Sequence, residues 1–101
     1  MALFRVIDAM AAPHGGQILR LRLVDGDPPT VRALRGATLE ARSPDGERRQ
    51  RIRVDGFALF GGKPSDARIR KTGRVDVHVC PLDGETSTPP ALKWEVEGPL
   101  E

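Results

Sequence analysis

Apolar and charged residues alternate with a period of two through much of the chain. In QILRLRLVD (17–25), Leu19, Leu21 and Leu23 fall on one face, and Arg20 and Arg22 on the other. In RIRVD (51–55), Ile52 and Val54 oppose Arg51 and Arg53. In RVDVHV (74–79), Val75, Val77 and Val79 oppose Arg74, Asp76 and His78. Strict alternation is the mark of strands buried on one side only. Such strands belong to antiparallel sheets or barrels with one wet face. FRVID (4–8), TVRAL (30–34), TLEAR (38–42), ARIR (67–70) and KWEVE (93–97) read as further short strands. Ala9–Ala12 read as one helical turn before Pro13, and no longer window shows a helical stripe.

Turn residues punctuate these runs. Gly15-Gly16, Asp25-Gly26, Arg35-Gly36, Pro44-Asp45-Gly46, Gly61-Gly62, Thr72-Gly73 and Asp83-Gly84 recur at the spacing of an all-β barrel or sandwich. The expectation is an all-β fold: a single small antiparallel β-barrel of about six to seven strands. Its core is expected to hold Leu19, Leu21, Leu23, Leu39, Ile52, Val54, Phe57, Val75, Val77 and Val79. From Asp83 the texture changes. DGETSTPP contains no aliphatic residue and reads as a linker. The expected organisation is a barrel in residues 1–82 and an acidic linker and strand-like tail in 83–101. Trp94 in that tail is expected to fold back onto the core, because exposure forfeits a large burial gain. The sharper alternative has the tail adding to another chain.

The 101 residues suit one core. No apolar run is long enough to cross a bilayer, and MALFRVIDAM lacks the basic start of a secretory signal. With Cys80 as the lone cysteine, no intrachain disulfide forms, and the expected location is the reducing cytoplasm. The net charge of +2 hides an uneven spread. Residues 1–82 carry 15 Lys/Arg against 9 Asp/Glu, and residues 83–101 carry 1 against 5.

GFALFGGKPSD (56–66) tests for phosphate chemistry. A phosphate loop has the form G-x-x-x-x-G-K-[ST] before a helix. Here Gly62 stands in the lysine position, Pro64 separates Lys63 from Ser65, and ARIRKTG shows no helical period. No nucleotide binding is expected. The stretch reads instead as a barrel corner, with Gly56 bending the strand, Phe57, Leu59 and Phe60 turning inward, and Gly61-Gly62 at positive φ.

That corner carries a resemblance. Val54-Asp55-Gly56-Phe57-Ala58-Leu59-Phe60, then Thr72-Gly73 and Val75, Val77 and Val79, is similar to domain 2 of the translational GTPases, the β-barrel of elongation factor Tu. Phe4-Arg5-Val6-Ile7-Asp8, the His14-Gly15-Gly16-Gln17 turn, the strand from Ile18 to Gly26, and Leu34-Arg35-Gly36-Ala37-Thr38-Leu39 extend it over roughly residues 4–79. The resemblance implies an elongation factor Tu domain 2-like barrel. No GTPase domain precedes it and no third domain follows, so a stand-alone barrel is expected. The family's threonine after the second turn glycine is Gln17 here. Its basic residues after the corner phenylalanine are Gly61 and Gly62. The family's RNA contacts are therefore not carried over.

Chemistry-bearing groups are sparse. His78 and Cys80 share one strand face and, with His14, offer three soft metal ligands, one short of a closed zinc site. At about 7 Å apart on that face, His78 and Cys80 are too distant for direct proton transfer. Asp25 and Asp27 read as turn caps. No catalytic residue, cofactor or metal site is expected. The strongest candidate is the arginine group. In RRQRIR (48–53), Arg49, Arg51 and Arg53 share one face, and Arg20 and Arg22 extend it if their strand is a neighbour. An arginine stripe can track a phosphate backbone, but no aromatic residues interleave to stack bases. The leading expectation is a non-enzymatic binding module for a protein partner or itself, with neither membrane nor nucleotide as a partner. The alternative is an accessory RNA-binding protein that binds weakly through Arg20, Arg22, Arg49, Arg51 and Arg53.

Overall fold

The computed structural model describes residues 2–12, 15–58, 65–82 and 90–100. Six strands form a closed antiparallel barrel: β1 (Ala2–Ala11), β2 (Gln17–Asp25), β3 (Thr38–Arg42), β4 (Arg49–Phe57), β5 (Arg74–Pro81) and β6 (Glu95–Leu100). Their order around the barrel is β1-β2-β5-β4-β3-β6. The period-two runs at 17–25 and 38–42 are β2 and β3 to the residue. Ala9–Ala11 continue β1 as strand, paired with Gln17–Leu19, so no helical turn forms there.

β6 makes the closure. It pairs with β1 through Ala2↔Gly98 and Phe4↔Val96, and with β3 through Ala41↔Val96. The segment before it is held too: Val6 N–H donates to the Trp94 carbonyl at 2.8 Å, and Lys93 N–H donates to the Val6 carbonyl at 3.0 Å. Trp94 is 5% exposed and packs in the core. The tail strand thus lies inside the barrel wall, between β1 and β3.

Every residue of the expected core is buried except Leu23 and Phe57, which pack half-buried against it. Gly56 sits at a register shift between Val54↔Val79 and Gly56↔His78, which bends β4 at the corner. Leu59, Phe60 and Gly61-Gly62 lie outside the described residues.

Two expected strands are helices. Residues 30–34 hold α1 (Val31–Leu34), with Thr30 Oγ1 accepting from Ala33 N–H. Residues 67–70 fall in α2 (Asp66–Thr72), with Ser65 Oγ accepting from Arg68 N–H. The sequence around α2 carries its signals at the ends rather than in a period. Ser65 is the N-cap, Asp66 favours the positive helix start, and Arg70 and Lys71 favour its end. Gly73 takes the left-handed conformation (φ 69°) that stops it. Each helix buries one anchor, Leu34 or Ile69, and Asp66 Oδ1 ties them by accepting from Val31 N–H at 2.7 Å.

The helices make the two barrel ends unlike. α1 follows β2 and precedes β3, and α2 follows β4 and precedes β5. All four strand ends lie at one end of the barrel, so Leu34 and Ile69 plug it. The other end is where β1, β3 and β5 finish and β2, β4 and β6 begin. There the Ser43–Arg48 hairpin closes through Ser43 N–H to the Arg48 carbonyl, with Ser43 Oγ accepting from Arg48 N–H. Asp45 accepts from Ser43 Oγ and Glu47 N–H, which holds its carboxyl below the ordinary range.

The inward and outward faces should separate in stability. Val77 is fully buried, so Val77→Ala is expected to cost about 1–3 kcal/mol. Arg51→Ala on the wet face should cost less than about 0.5 kcal/mol. Urea melts of both variants measure the difference.

Candidate functional site

The arginine group is split by the topology. Arg49, Arg51 and Arg53 are exposed on β4. Arg20 and Arg22 lie on β2, and β5 stands between the two strands. The expected extension across neighbouring strands therefore does not occur. Acids also intervene. Arg20 Nε bonds Asp76 Oδ1 at 2.9 Å, and Arg53 Nε bonds Asp55 Oδ1 at 2.9 Å. Arg51 stands opposite Glu40. Like charges face one another elsewhere: Arg42 opposite Arg49, and Arg22 between Arg5 and Arg74. Glu95 separates these two groups, opposite Arg42 on one side and Arg5 on the other. Cationic charge thus circles the barrel in pieces.

His78 and Cys80 belong to a small polar cluster on β5. His78 Nε2 lies 2.9 Å from the Gly15 carbonyl, which makes it the protonated nitrogen. The thiol of Cys80 faces Asp55. That hydrogen bond pushes the thiol pKa up, with burial adding to it, while the thiol and Arg53 hold the Asp55 carboxyl down. A thiol held protonated is a poor nucleophile. Gly16 covers the cluster in a left-handed conformation (φ 74°). A Cβ there would lie 2.5 Å from the Val79 carbonyl, 2.9 Å from Cys80 Sγ and 3.0 Å from His78 Nε2. No group of three or more potential metal ligands occurs among the described residues. His14 lies outside them.

The phosphate-loop question also changes ground. A helix does follow GFALFGGKPSD, contrary to the sequence expectation, because the caps Ser65 and Gly73 define α2. One starting amide is capped and the end carries an acid: Ser65 Oγ takes Arg68 N–H, and Asp66 supplies negative charge at the same place. An anion would meet that carboxylate. Residues 61–64 lie outside the described residues.

The open end holds the feature that periodicity did not reveal. A pocket of about 410 Å³ opens there among Ala9, Ala11, Ile52, Val79, Pro81 and Pro90, with Met10 and Gly16 completing its wall. It is hollow because the last inward positions are small: alanines on β1 and a glycine before β2. Two carboxamides border it, Gln17 and Gln50. Gln17 Nε2 donates to the Pro90 carbonyl at 2.9 Å and pins that segment across the barrel end. Gln50 occupies an inward position of β4, opposite Ala41 and two residues before Ile52. Its Oε1 and Nε2 are both closed off from solvent, and neither has a hydrogen-bond partner. Burying such groups unmatched costs about 1–3 kcal/mol each.

Exposed apolar side chains occur near the same end. The exposed large hydrophobics among the described residues are Met10, Val24, Leu82 and Leu92. Met10 lines the pocket, Leu82 follows Pro81, and Leu92 lies two residues beyond Pro90. Val24 alone belongs to the plugged end. No helix among the described residues is long and apolar enough to cross a membrane.

Compared with protein-family models, with curated proteins and with solved structures, the chain has no match.

Two measurements check this geometry. Gly16→Ala should lower stability by about 1–3 kcal/mol, through both its φ and its collision with the Val79 carbonyl. Alkylation of Cys80 by iodoacetamide should follow a pH profile with its midpoint above that of an ordinary thiol, about 8.5. Asp55→Asn should move that midpoint down. By linkage, the raised thiol pKa contributes stability that is present below the unfolded thiol value and lost as pH rises through the folded one.

Proposed function

We propose that this chain is a non-enzymatic binding module, built on a barrel of the translation-factor domain 2 kind, that engages a protein partner at its open end. The observation that carries this reading is the largely apolar pocket, with exposed Met10 in its wall and exposed Leu82 and Leu92 close in sequence to its lining residues Pro81 and Pro90. An apolar patch centred on a pocket is the usual form of a protein-binding surface. The closed barrel adds a constraint. Each strand is paired on both sides, so a partner must meet side chains rather than extend a sheet edge. The non-enzymatic reading rests on engaged groups. The His78 ring bonds a carbonyl, and the Cys80 thiol bonds a carboxylate. The bulge at Gly56 and the inward Val75, Val77 and Val79 support the barrel relationship. A lone cysteine suits a cytoplasmic location.

RNA binding is the second reading, supported by the opposed Arg42 and Arg49 beside Arg51. Two or three phosphate contacts there would give a slope of log affinity against log salt of about −2 for single strands. Such binding fades near physiological salt.

Site-specific photocrosslinking in source cells separates the readings. A photoreactive residue replacing Met10 or Leu82 should yield a discrete, protease-sensitive adduct, while one replacing Val24 at the plugged end should not. Nuclease-sensitive adducts arising from position 42 or 49, with none from 10 or 82, would favour RNA and overturn the protein reading.

A further inference from the structure

We propose that the open-end pocket recognises a carboxamide, and that its occupant is an asparagine or glutamine side chain presented on an apolar segment of a protein partner. This deepens the reading of the open end as a protein-binding surface and rests on it.

The chemistry starts from Gln50. A carboxamide sets one acceptor and one donor side by side, and Gln50 has neither matched. The group that satisfies both at once presents an N–H and a C=O in the same plane, which is another amide. A carboxylate would meet the donor and repel Oε1. An ammonium would meet the acceptor alone. Charge is disfavoured in any case, because the described walls are mostly alanine, isoleucine, valine, methionine and proline, with no charged side chain among them to replace the water an ion would lose. Gln50 lines the pocket while its Oε1 and Nε2 are closed off from solvent, so binding in this proposal includes rotation of the carboxamide about its own side-chain bonds into the cavity. Gln17 is committed to Pro90 and holds the rim in place. The amide to be read is thus met by Gln50.

Two sources supply planar donor–acceptor edges: amides and nucleobases. The pocket favours the amide. None of the described residues that line it is aromatic, so they offer a base no stacking surface. Exposed Met10 in the wall, with exposed Leu82 and Leu92 close in sequence to the lining residues Pro81 and Pro90, matches an apolar peptide rather than a phosphate backbone. A pendant side chain also reaches into a barrel end without folding the main chain back on itself. The size agrees, since 410 Å³ lies in the range of small-ligand pockets.

The test uses the whole chain, labelled with ¹⁵N, and four probes read by NMR. These are cyclohexanecarboxamide, the isosteric cyclohexanecarboxylate, cyclohexyl methyl ketone and 9-ethyladenine. A fragment of about nine heavy atoms should bind near the millimolar range. The carboxamide should bind at least fivefold tighter than the carboxylate or ketone. It should shift the backbone amides of Ala9, Gly16 and Val79 and the side-chain NH₂ pair of Gln50. Gln50→Leu should erase the preference while keeping ketone binding, and Gln50→Met serves if the leucine variant does not fold. Equal affinity for the first three probes, or a Gln50 NH₂ pair that does not move, overturns the amide inference. Crosslinking from Met10 would then still uphold the protein-binding surface. Tighter binding of 9-ethyladenine than of the carboxamide overturns the peptide assignment.

Discussion

Completion of the hydrogen-bond ring by β6 is the constraint on which the rest depends. A sheet that stopped at five strands would leave the outer edges of β1 and β3 bare, with unpaired N–H and C=O groups open to any other chain. β6 covers both edges at once, and Trp94 at its start adds the largest side chain of the chain to the core. The chain's most acidic stretch thus supplies the last stave of a basic barrel. Its outward Glu95 stands between Arg42 and Arg5, where it interrupts a row that would otherwise repel itself.

Closure also limits which surfaces a partner can meet. Without edges, only the outer faces and the two ends remain. The outer faces carry charges that neighbours answer in part: Asp76 for Arg20, Asp55 for Arg53, and Glu40 opposite Arg51. One end is plugged by Leu34 and Ile69 from the short helices. The other has small inward residues on β1, an unmatched carboxamide on β4 and an apolar rim. The proposed function rests on this asymmetry. Core volume is spent at the plugged end, and the open end keeps space and unsatisfied polarity. Natural cores rarely leave both atoms of a buried carboxamide unmatched.

The strands were legible because burial on one face imposes a period of two, and β2 and β3 match their runs to the residue. The helices were not, because a helix of four or seven residues with one buried anchor has no period to display. Its signals lie in the caps, Thr30 and Ser65 with Gly73, which alternation overlooks. The arginine stripe shows the limit of a strand-by-strand reading. Parity tells that Arg20, Arg22, Arg49, Arg51 and Arg53 face outward. Only topology tells that β5 divides them and supplies Asp76 to one side. Gln50 was hidden for a related reason. Flanking arginines make RRQRIR look like one polar run, yet Gln50 shares its parity with Ile52 and Val54. A polar residue on the inward parity of a strand is the signal that points to the pocket.

Native-state hydrogen exchange of the β6 amides tests closure most directly. If β6 is a stave of the barrel, the amides that pair it with β1 and β3 should exchange with the same opening free energy as those of β4 and β5, because one cooperative unit opens together. Exchange of the β6 amides at loop-like rates, with β2 to β5 still protected, would contradict the account and leave an open sheet with two free edges.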